Sequence, residues 1–490
     1  MAWTGQYDRL FIGGAWVKPA GTDKFEVISP TTEQIIAEVP AGSPADIDRA
    51  VVAARSAFDH GHWPRTPVAE RIRVLRRLSA AFERNQRLLA SLATEQMGCP
   101  ISLSQSLQGT IPRRILDTYA EIGETYPFSS LRRSATGTAL VLREPVGVVA
   151  AIVPWNAPQM TMALKLVPAL LAGCTVVLKT APETPLDAYL LAEMLQEAGL
   201  PEGVVNIVCA DRKVSEHLVT HPGVDKVTFT GSTVAGQRIA ALCGHDLRRV
   251  TLELGGKSAA VILDDADMDL TVDAVERGSF RNAGQSCAAK TRLIVSRRRQ
   301  DELLERLTEL VASIKVGDPF DPSTQVGPLA SARQRERVEA YIRAGKDEGA
   351  RLLVGGGRPA QLRTGWFVEP TVFADVHSGM RIAQEEIFGP VISVLAYEDE
   401  DEAIDIANDS AYGLSGSIFT SNLQRGLELA KQIRTGTVEL NASPAGYGAP
   451  MGGVKMSGIG REFAQEGLDS YVEFKSVGIP PDLAETLART

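Results

Sequence analysis

Three side chains in separate segments of the sequence could together carry out nucleophilic chemistry. Cys287 ends the segment FRNAGQSC, and a cysteine among small and polar residues is a candidate nucleophile because its thiolate needs access and local stabilisation. Glu253 follows a strand-like run and precedes two glycines, a place where partial burial can raise the pKa of a carboxylate until it activates water. Asn156 closes another strand-like run and could offer its side-chain NH₂ to a developing oxyanion. Taken singly, the cysteine also fits a structural role, and the glutamate fits a satisfied charge at a strand end.

A fourth segment, FTGSTVAG at 229–236, has the pattern of a strand, a turn and the start of a helix. Ser232 and the neighbouring backbone N–H groups could receive a pyrophosphate at that helix N-terminus. Two other strings do not carry chemistry. GGKS at 255–258 lacks the earlier glycine that a phosphate-binding loop needs, and HLVTH has Leu218 where a zinc protease needs glutamate.

Composition narrows the class of protein to which these residues belong. The chain has 490 residues, enough for about three structural units, and its formal net charge is −9. A net negative charge without a basic block argues against nucleic acid or an anionic membrane as partner. Five cysteines without CxxC spacing make disulfides and a zinc site improbable. With neither a signal peptide nor an apolar run of about 18 residues, we expect a cytoplasmic enzyme that contains no metal.

The elements that must position these residues alternate along the chain. Short runs rich in valine and isoleucine predict strands at 147–154, 175–179, 204–208, 226–230, 250–253 and 259–263. Helices are predicted at 158–172, 185–198, around 299–314 and 331–349, and through much of 45–98. A protruding hairpin is predicted in 125–145, and a strand at 471–477 that could pair beyond its own domain. This alternation predicts an α/β fold with a doubly wound, Rossmann-like parallel sheet covered on both faces.

Several motifs in a fixed order give the sequence a family resemblance. They are PWNAP at 154–158, VVLK at 176–179, FTGST at 229–233, LELGGKS at 252–258, GQSC at 284–287, EEIFGP at 385–390, PMGG at 450–453 and SGIGRE at 457–462. Together they resemble the aldehyde dehydrogenase superfamily over essentially the whole chain. The resemblance implies a Rossmann-like cofactor domain (1–124 and 145–254), an α/β catalytic domain (255–465), and a small β oligomerisation arm with a C-terminal strand (125–144 and 466–490). It also implies a homo-oligomer, either a dimer or a tetramer.

The resemblance also implies roles for the chemical residues. Cys287 would attack the aldehyde to give a thiohemiacetal, with Asn156 and the backbone N–H of Cys287 forming the oxyanion hole. After hydride transfer to a nicotinamide, Glu253 would activate the water that hydrolyses the thioester. Lys165 and Glu462 match positions associated with relaying that proton. The presence of Glu253 favours hydrolysis over the branch of the superfamily that acylates coenzyme A.

Cofactor contacts follow from the same resemblance. Lys179 would contact the adenosine ribose, Ser232 the pyrophosphate beside Trp155, and Glu386 the nicotinamide ribose, while Phe388 packs near the ring. The remaining expected contacts are Ile152, Pro154, Gly231 and Leu254.

The residues after the ribose-binding lysine bear on the choice of dinucleotide. Many NAD-using members have glutamate three residues after that lysine, whereas here Pro182 occupies that place and Glu183 follows it. Displacing the carboxylate weakens the exclusion of a 2′-phosphate. We expect NAD as cofactor, with NADP possible.

The expected substrate tunnel lacks the large rings that the family often has. Ala157, Arg281 and Met451 stand where aromatics are frequent, and Leu164 where tryptophan is frequent. This predicts a wide tunnel for a bulky apolar aldehyde. The alternative is a succinate-semialdehyde-like substrate whose carboxylate pairs with Arg281; a second alternative is a non-catalytic nucleotide-binding homologue. The other expected tunnel residues are Met160, Ser286 and Ala288.

Overall fold

The computed structural model describes residues 8–489. Within that range the strands are, in chain order, β1 (Leu10–Ile12), β2 (Ala15–Val17), β3 (Lys24–Ile28), β4 (Ile35–Pro40), β5 (Ser129–Ser134), β6 (Gly137–Pro145), β7 (Val148–Ile152), β8 (Thr175–Thr180), β9 (Val205–Cys209), β10 (Lys226–Thr230), β11 (Arg249–Glu253), β12 (Ala259–Ile262), β13 (Arg292–Ser296), β14 (Arg351–Val354), β15 (Thr371–Ala374), β16 (Val391–Tyr397), β17 (Ser415–Phe419), β18 (Thr437–Leu440), β19 (Gly458–Ile459) and β20 (Val472–Ile479).

The α-helices in the same range are α1 (Pro44–Asp59), α2 (Val68–Met97), α3 (Ile101–Ser104), α4 (Ile111–Thr125), α5 (Pro158–Ala172), α6 (Leu186–Glu197), α7 (Arg212–Thr220), α8 (Thr233–His245), α9 (Met268–Ser279), α10 (Gln300–Ser313), α11 (Ala332–Asp347), α12 (Arg381–Gln384), α13 (Glu400–Asn408), α14 (Leu423–Ala430), α15 (Ala464–Asp469) and α16 (Pro481–Arg489). Short 3₁₀ turns lie at Trp63–Arg65, Arg281–Gly284 and Lys455–Ser457, and a π-helical segment at Gln105–Thr110. The helices predicted in 45–98, around 299–314 and at 331–349 are confirmed. Among the described residues, no helix combines the length and the apolar character that crossing a membrane requires.

An eight-stranded sheet forms the first lobe. Its order is β19-β11-β10-β7-β8-β9-β1-β2, and β7 to β11 run parallel within it. Apolar side chains are buried on both faces of these central strands because helices cover a parallel sheet on each side. The strands predicted at 147–154, 175–179, 204–208, 226–230 and 250–253 are confirmed as β7 to β11.

Helix α5 connects β7 to β8 and has the predicted bounds. Pro158 occupies its first turn, where the missing N–H costs no hydrogen bond. The helix ends at Gly173, whose φ of +97° is the left-handed conformation that glycine adopts most easily. Nearly every side chain of α5 is buried, so this helix is a rigid support for whatever its first turn presents.

A seven-stranded sheet forms the second lobe, in the order β14-β15-β16-β13-β12-β17-β18. The strand predicted at 259–263 forms as β12, but it pairs with β13 and β17 of this second sheet. The expectation that it continues the first parallel sheet is therefore wrong. A strand buried on both faces has the same sequence pattern in either sheet, so the pattern alone could not separate them.

A three-stranded antiparallel sheet, β20-β6-β5, projects as an arm. The predicted hairpin is confirmed as β5 and β6, and the predicted C-terminal strand is confirmed as β20, which pairs with β6 from Val472↔Pro145 to Ile479↔Thr138. The short strand β19 lies within 255–465, the segment expected to form the catalytic domain. It nevertheless pairs with β11 at the edge of the first sheet.

Candidate active site

Cys287 lies in a tightly turned loop between α9 and β13. Asn282, Ala283 and Gly284 all have positive φ, at +52°, +53° and +71°. A Cβ on Gly284 would lie 2.0 Å from the carbonyl oxygen of Gly389, so the turn needs glycine there. Cys287 itself is half-buried, whereas the four other cysteines are buried. It is therefore the cysteine best placed to meet a substrate.

The surroundings of the Cys287 sulfur disfavour its thiolate. Burial raises its pKa to about 12, and the carboxylates of Glu386 and Glu253 add to the rise. The backbone N–H groups of Cys287 and Ala288 act in the opposite direction because they stabilise the thiolate. A positive charge placed beside the sulfur would favour the thiolate further.

Asn156 follows β7 and contacts the loop that carries the cysteine. Its side-chain Nδ2 donates to the carbonyl oxygen of Gln285 (3.1 Å), and Asn282 Nδ2 donates to the backbone carbonyl of Asn156 (3.2 Å). A primary amide has two N–H donors, so the second N–H of Asn156 can serve an oxyanion. These reciprocal bonds fix the distance between α5 and the cysteine loop.

Glu253 ends β11 and is only 3% exposed. Its Oε1 has no hydrogen-bond partner within the described chain. Burial and then the neighbouring Glu462 carboxylate raise its pKa well above the ordinary value, while Lys165 and Arg461 lower it. A Cβ on Gly452 would lie 2.7 Å from Oε1, so the glycine leaves room for the carboxylate. Such a carboxylate is suited to accept a proton from water.

Lys165 and Glu462 form an ion pair beside Glu253. The Lys165 ammonium, on α5, donates to Glu462 Oε1 at 2.7 Å and to Thr228 Oγ1 at 3.3 Å. Both charged groups are almost completely buried, so the pair persists only because each charge satisfies the other.

The segment around Glu386 brings together several expected cofactor residues. Glu386 Oε1 accepts from the backbone N–H of Gly256 at 3.0 Å, and a Cβ on Gly255 would lie 2.4 Å from Glu386 Oε2. The rings of Trp155 and Phe388 meet edge to face, with centroids 5.4 Å apart. The LGG sequence thus lets a carboxylate approach the backbone directly, next to two aromatic rings that can bound a planar ligand.

Lys179 lies near the carboxyl end of β8. It is buried, and no hydrogen bond or ion pair of its amine occurs within residues 8–489. Burial lowers its pKa, while the nearby Cys209, Glu183 and Asp211 act in the opposite direction. Glu183 and Asp211 line a cavity of about 850 Å³ at the carboxyl ends of β8 and β9, the place where doubly wound sheets bind ligands. Arg333 of the second lobe reaches this cavity and pairs with Glu183 at 3.1 Å.

The remaining expected cofactor residues are at the carboxyl ends of β7, β10 and β11. Ser232 is the exposed N-cap of α8, where its hydroxyl accepts from the N–H of Ala235 at 3.4 Å. Gly231 and Pro154 are half-buried, while Ile152 and Leu254 are buried.

The expected tunnel residues have different surroundings. Ala157 and Leu164 are buried, and Met160 and Met451 pack partly buried against the core that contains Leu164. Ser286 and Ala288 flank the cysteine and are half-buried.

Arg281 is set apart from the other expected tunnel residues. It lines a cavity of about 370 Å³ whose walls include the apolar Leu103 and Phe280 and the charged Glu276 and Arg277. None of the other six expected tunnel residues lines this cavity in the described chain. Its guanidinium has no carboxylate partner within residues 8–489.

Sequence reasoning missed the residues that brace the Glu386–Phe388 segment from α11. Gln334 Nε2 donates to the carbonyl oxygen of Phe388 (2.7 Å), and an Arg337 N–H donates to that of Glu386 (2.6 Å). Their spacing of three places both on one helix face, and that spacing was the available signal. Arg333, Gly255 and Gly452 were also missed because their roles depend on contacts distant in sequence.

Comparison with known proteins agrees with this arrangement. The model of the Aldehyde dehydrogenase family matches residues 16–477. Geranial dehydrogenase of Castellaniella defragrans is 46% identical over 475 residues, which cover 97% of this chain and 99% of that protein. The 3-succinoylsemialdehyde-pyridine dehydrogenase of a Pseudomonas species is 44% identical, with coverage of 96% and 98%.

Solved structures share the fold over nearly the whole chain. An aldehyde dehydrogenase of Mycobacterium tuberculosis, complexed with NAD⁺, superposes with a TM-score of 0.95 at 45% identity and covers 97% of this chain and 98% of its own. A cysteine-to-alanine mutant of aldehyde dehydrogenase C from Pseudomonas syringae, complexed with NAD⁺ and octanal, gives a TM-score of 0.93 at 40% identity, with 96% of both chains covered. The match spans both lobes and the arm. The chain therefore belongs to the aldehyde dehydrogenase family.

Proposed function

We propose that this protein oxidises an aldehyde to a carboxylic acid with NAD⁺ as the hydride acceptor. One observation carries the proposal: the half-buried thiol of Cys287 lies close enough to the buried Glu253 carboxylate for Glu253 to raise its pKa. A nucleophile beside a carboxylate whose Oε1 has no partner suits chemistry in which an acyl group is first bound and then hydrolysed. Family membership and the NAD⁺ complexes of two solved relatives support the same reaction.

Several residues of the proposed active site offer contacts that suit NAD⁺. Lys179 offers a buried amine that makes no ion pair in the described chain, and Ser232 stands at a helix N-terminus suited to a pyrophosphate. Glu386 can hold the nicotinamide ribose, with Phe388 near the ring and Trp155, which contacts Phe388 edge to face, beside the pyrophosphate. When bound, NAD⁺ supplies the hydride acceptor that turns a thiohemiacetal into a thioester. NADP also remains a candidate, because Pro182 replaces the carboxylate that would exclude it.

The chain's own residues account for the other steps. The sulfur of Cys287, as the thiolate left when its proton passes to solvent, forms a bond to the aldehyde carbon, and the second N–H of Asn156 and the backbone N–H of Cys287 stabilise the resulting oxyanion. In the thioester, Glu253 takes a proton from water while the water oxygen bonds to the acyl carbon and the carbon–sulfur bond breaks. The Lys165–Glu462 pair, 2.7 Å apart, then receives the proton from Glu253.

The substrate we propose is a bulky apolar aldehyde. Ala157, Met160, Leu164 and Met451 offer no charge to a substrate, and methionines adapt to irregular apolar ligands. The name of the Castellaniella relative, geranial dehydrogenase, and the octanal in the Pseudomonas syringae complex support this class.

A second candidate substrate is a semialdehyde that carries a carboxylate. Arg281, without an ion-pair partner in the described chain, lines a cavity close to the cysteine loop whose walls also include Arg277 and Glu276. Its guanidinium could bind a carboxylate bidentately. Leu164 offers no second cation, which favours the apolar aldehyde. The intact set of Cys287, Glu253 and Asn156 argues against the further alternative, a non-catalytic nucleotide-binding homologue.

We also propose that the protein is cytoplasmic and forms a homodimer or homotetramer. The arm supports the second proposal: β20 lies at an edge of its sheet and exposes Phe474 and Val477, and apolar edge strands commonly need a partner. We further propose that the chain divides into a cofactor-binding domain, a catalytic domain and an oligomerisation arm.

A panel of aldehydes tested with each dinucleotide decides the function. NADH absorbance should rise with citral-type, long-chain or aryl aldehydes and NAD⁺, and kcat/KM should be lower for succinate semialdehyde. Absence of NADH or NADPH formation with every aldehyde, from protein that binds NAD⁺, would establish the non-catalytic alternative. A preference for succinate semialdehyde would establish the second candidate substrate.

A further inference from the structure

The helix that follows Asn156 begins without a cap of its own. Helix α5 starts after Ala157, whose methyl side chain cannot accept a hydrogen bond, and Pro158 has no N–H. The backbone N–H of Gln159 is therefore the first donor of the helix, and it has no acceptor within α5. Gln108, in the π-helical segment before α4, supplies that acceptor, with its Oε1 3.0 Å from the Gln159 nitrogen. Both glutamines are 0% exposed, so bulk solvent does not reach this bond.

The neighbouring helix α6 is capped in the same way. Pro185 precedes it and makes no side-chain cap, and the N–H of Leu186 donates instead to Gln96 Oε1 of α2 at 3.1 Å. The Nε2 of the same glutamine donates to Asp187 Oδ1 at 3.1 Å. Gln96 and Asp187 are also 0% exposed. One buried amide thus holds the first turn of α6 to α2.

A further bond joins the two helix starts into one unit. Gln159 Nε2 donates to the backbone carbonyl of Asp187 at 2.7 Å. We call Gln96, Gln108, Gln159 and Asp187 the glutamine cluster. The partners fix the orientation of each amide, because a backbone N–H needs an oxygen opposite it and a carbonyl needs an N–H. Buried polar groups bonded in this way specify one arrangement, since a displacement would leave them without partners where the dielectric constant is low.

The cluster lies directly behind the residue that would stabilise the oxyanion. Asn156 precedes Gln159 by three residues, and its Nδ2 donates to the carbonyl oxygen of Gln285 in the cysteine loop. The short segment between them is therefore anchored to the cysteine loop at one end and to Gln108 at the other. The position of the Asn156 amide relative to Cys287 depends on where the first turn of α5 is held.

We propose that Gln108 and Gln159 are positioning residues for the reaction, which act by setting the place of the Asn156 amide. The inference rests on the proposed function, since the oxyanion forms when the Cys287 sulfur bonds to the aldehyde carbon and the electrons of the carbonyl double bond pass to its oxygen. A hydrogen-bond donor stabilises such a charge only if it already points to the place where the charge develops. A small shift of α5 is therefore costly to the rate.

Two variants each remove one bond of the cluster, and a third variant is the matched control. Gln108→Met removes the acceptor of the Gln159 N–H, and Gln159→Met removes the donor to Asp187, while methionine keeps a side chain of similar length. Asn206→Leu is the control, because Asn206 of β9 is also 0% exposed and its Oδ1 also accepts from a backbone N–H, that of Gly13 at 2.8 Å.

Four measurements separate positioning from a general loss of structure: the rate of the NADH burst, the rate at which iodoacetamide alkylates Cys287, the affinity for NAD⁺, and Tm. Alkylation needs the thiolate but creates no oxyanion, so it does not depend on Asn156. We expect the burst rate to fall about tenfold in Gln108→Met and in Gln159→Met, with alkylation and NAD⁺ affinity within about twofold of the wild type. Asn206→Leu should keep the wild-type burst rate.

The Asn156→Ala background provides the decisive comparison. If Gln108 acts through Asn156, adding Gln108→Met to that variant should lower its burst rate by less than about twofold, whereas an independent effect would repeat the loss of about tenfold. Such a repeated loss would overturn the inference, as would wild-type burst rates in both methionine variants or a parallel loss of burst and alkylation.

The two methionine variants remove different bonds, so either one decides the outcome if the other does not fold. Failure of the proposed function is separable, because the wild-type protein would then show no burst with any aldehyde.

Discussion

Gly452 lies so close to the Glu253 carboxylate that a methyl group on residue 452 would clash with it. A Cβ at position 452 would lie 2.7 Å from Glu253 Oε1, well inside ordinary van der Waals contact. The loop carrying Gly452 therefore forms one wall of the space in which the carboxylate sits. That relationship makes the PMGG segment part of the proposed hydrolysis site, although the segment contains no group that could react.

Gly452→Ala should impair hydrolysis more than formation of the thioester, because the added methyl displaces the Glu253 carboxylate. We expect steady-state kcat to fall at least tenfold, about 1.4 kcal/mol, while the NADH burst persists. Gly448→Ala is the matched control, since no atom lies within 4 Å of a Cβ built there. Equal kcat in the two variants would show that Glu253 tolerates displacement or has no part in the slow step.

The central strands and the chemical residues were predictable because each depends on local sequence. Continuous apolar runs predicted β7 to β11, and the motifs PWN, LELGGKS and GQSC marked Asn156, Glu253 and Cys287 directly. The same local signal could not assign β12 to the second sheet, because burial on both faces gives one pattern whichever neighbours the strand has.

Contacts between residues far apart in sequence became evident only from the structure. Lys165 and Glu462 are 297 residues apart, and the ion pair between Glu183 and Arg333 joins two lobes. The burial of Lys226, which is 2% exposed, is equally hidden, since a lysine within a strand is expected to face solvent. Arg281 illustrates the converse: the sequence suggested a carboxylate ligand, and the structure shows Arg281 in a cavity whose walls also include Glu276 and Arg277.

Cys287→Ser should abolish aldehyde oxidation while NAD⁺ binding is retained. A serine hydroxyl is a far weaker nucleophile than the thiolate, and its size changes nothing in the cleft. Activity should fall by more than about a thousandfold, measured as NADH formation alongside NAD⁺ affinity by fluorescence. Cys243→Ala, a change at a buried cysteine of helix α8, should keep substantial turnover. A Cys287→Ser enzyme with turnover like the wild type would remove Cys287 as the nucleophile.

Glu253→Gln should separate the two halves of the reaction. Glutamine has nearly the same shape but cannot take a proton from water, so the thioester accumulates. Rapid mixing with aldehyde and NAD⁺ should give a burst close to one NADH per active site, followed by steady-state turnover reduced by about a hundredfold or more. Unchanged steady-state turnover would exclude Glu253 as the base, and loss of the burst would show that it acts before hydride transfer.

Arg281→Leu should distinguish the two candidate substrate classes. If the substrate is apolar, removing the guanidinium changes its kcat/KM by less than about tenfold, because no charged group of the substrate loses a partner. If the substrate is a semialdehyde, its carboxylate loses a bidentate ion pair and kcat/KM falls selectively. Octanal and succinate semialdehyde, each assayed with the wild type and the variant, give the four values needed. Selective loss of a preferred succinate semialdehyde would overturn the apolar proposal.

The pH dependence of kcat should depend on the positive charge of Lys165 near Glu253. Its pKa is raised mainly by burial and the Glu462 carboxylate, and Lys165 is the leading group that lowers it. Since Glu253 must be deprotonated to accept a proton from water, kcat should fall as the pH drops through that raised pKa.

Lys165→Met removes the positive charge and leaves Glu462 unpaired, and both changes disfavour the Glu253 carboxylate. The acid limb of the kcat profile should therefore move to higher pH, while the NADH burst at high pH is retained. Thr161→Val, a buried change on the same helix whose wild-type hydroxyl donates to the carbonyl of Ala157, carries no charge and should leave the limb in place. An acid limb that stays fixed in Lys165→Met, or moves to lower pH, would show that the group titrating in turnover is not Glu253.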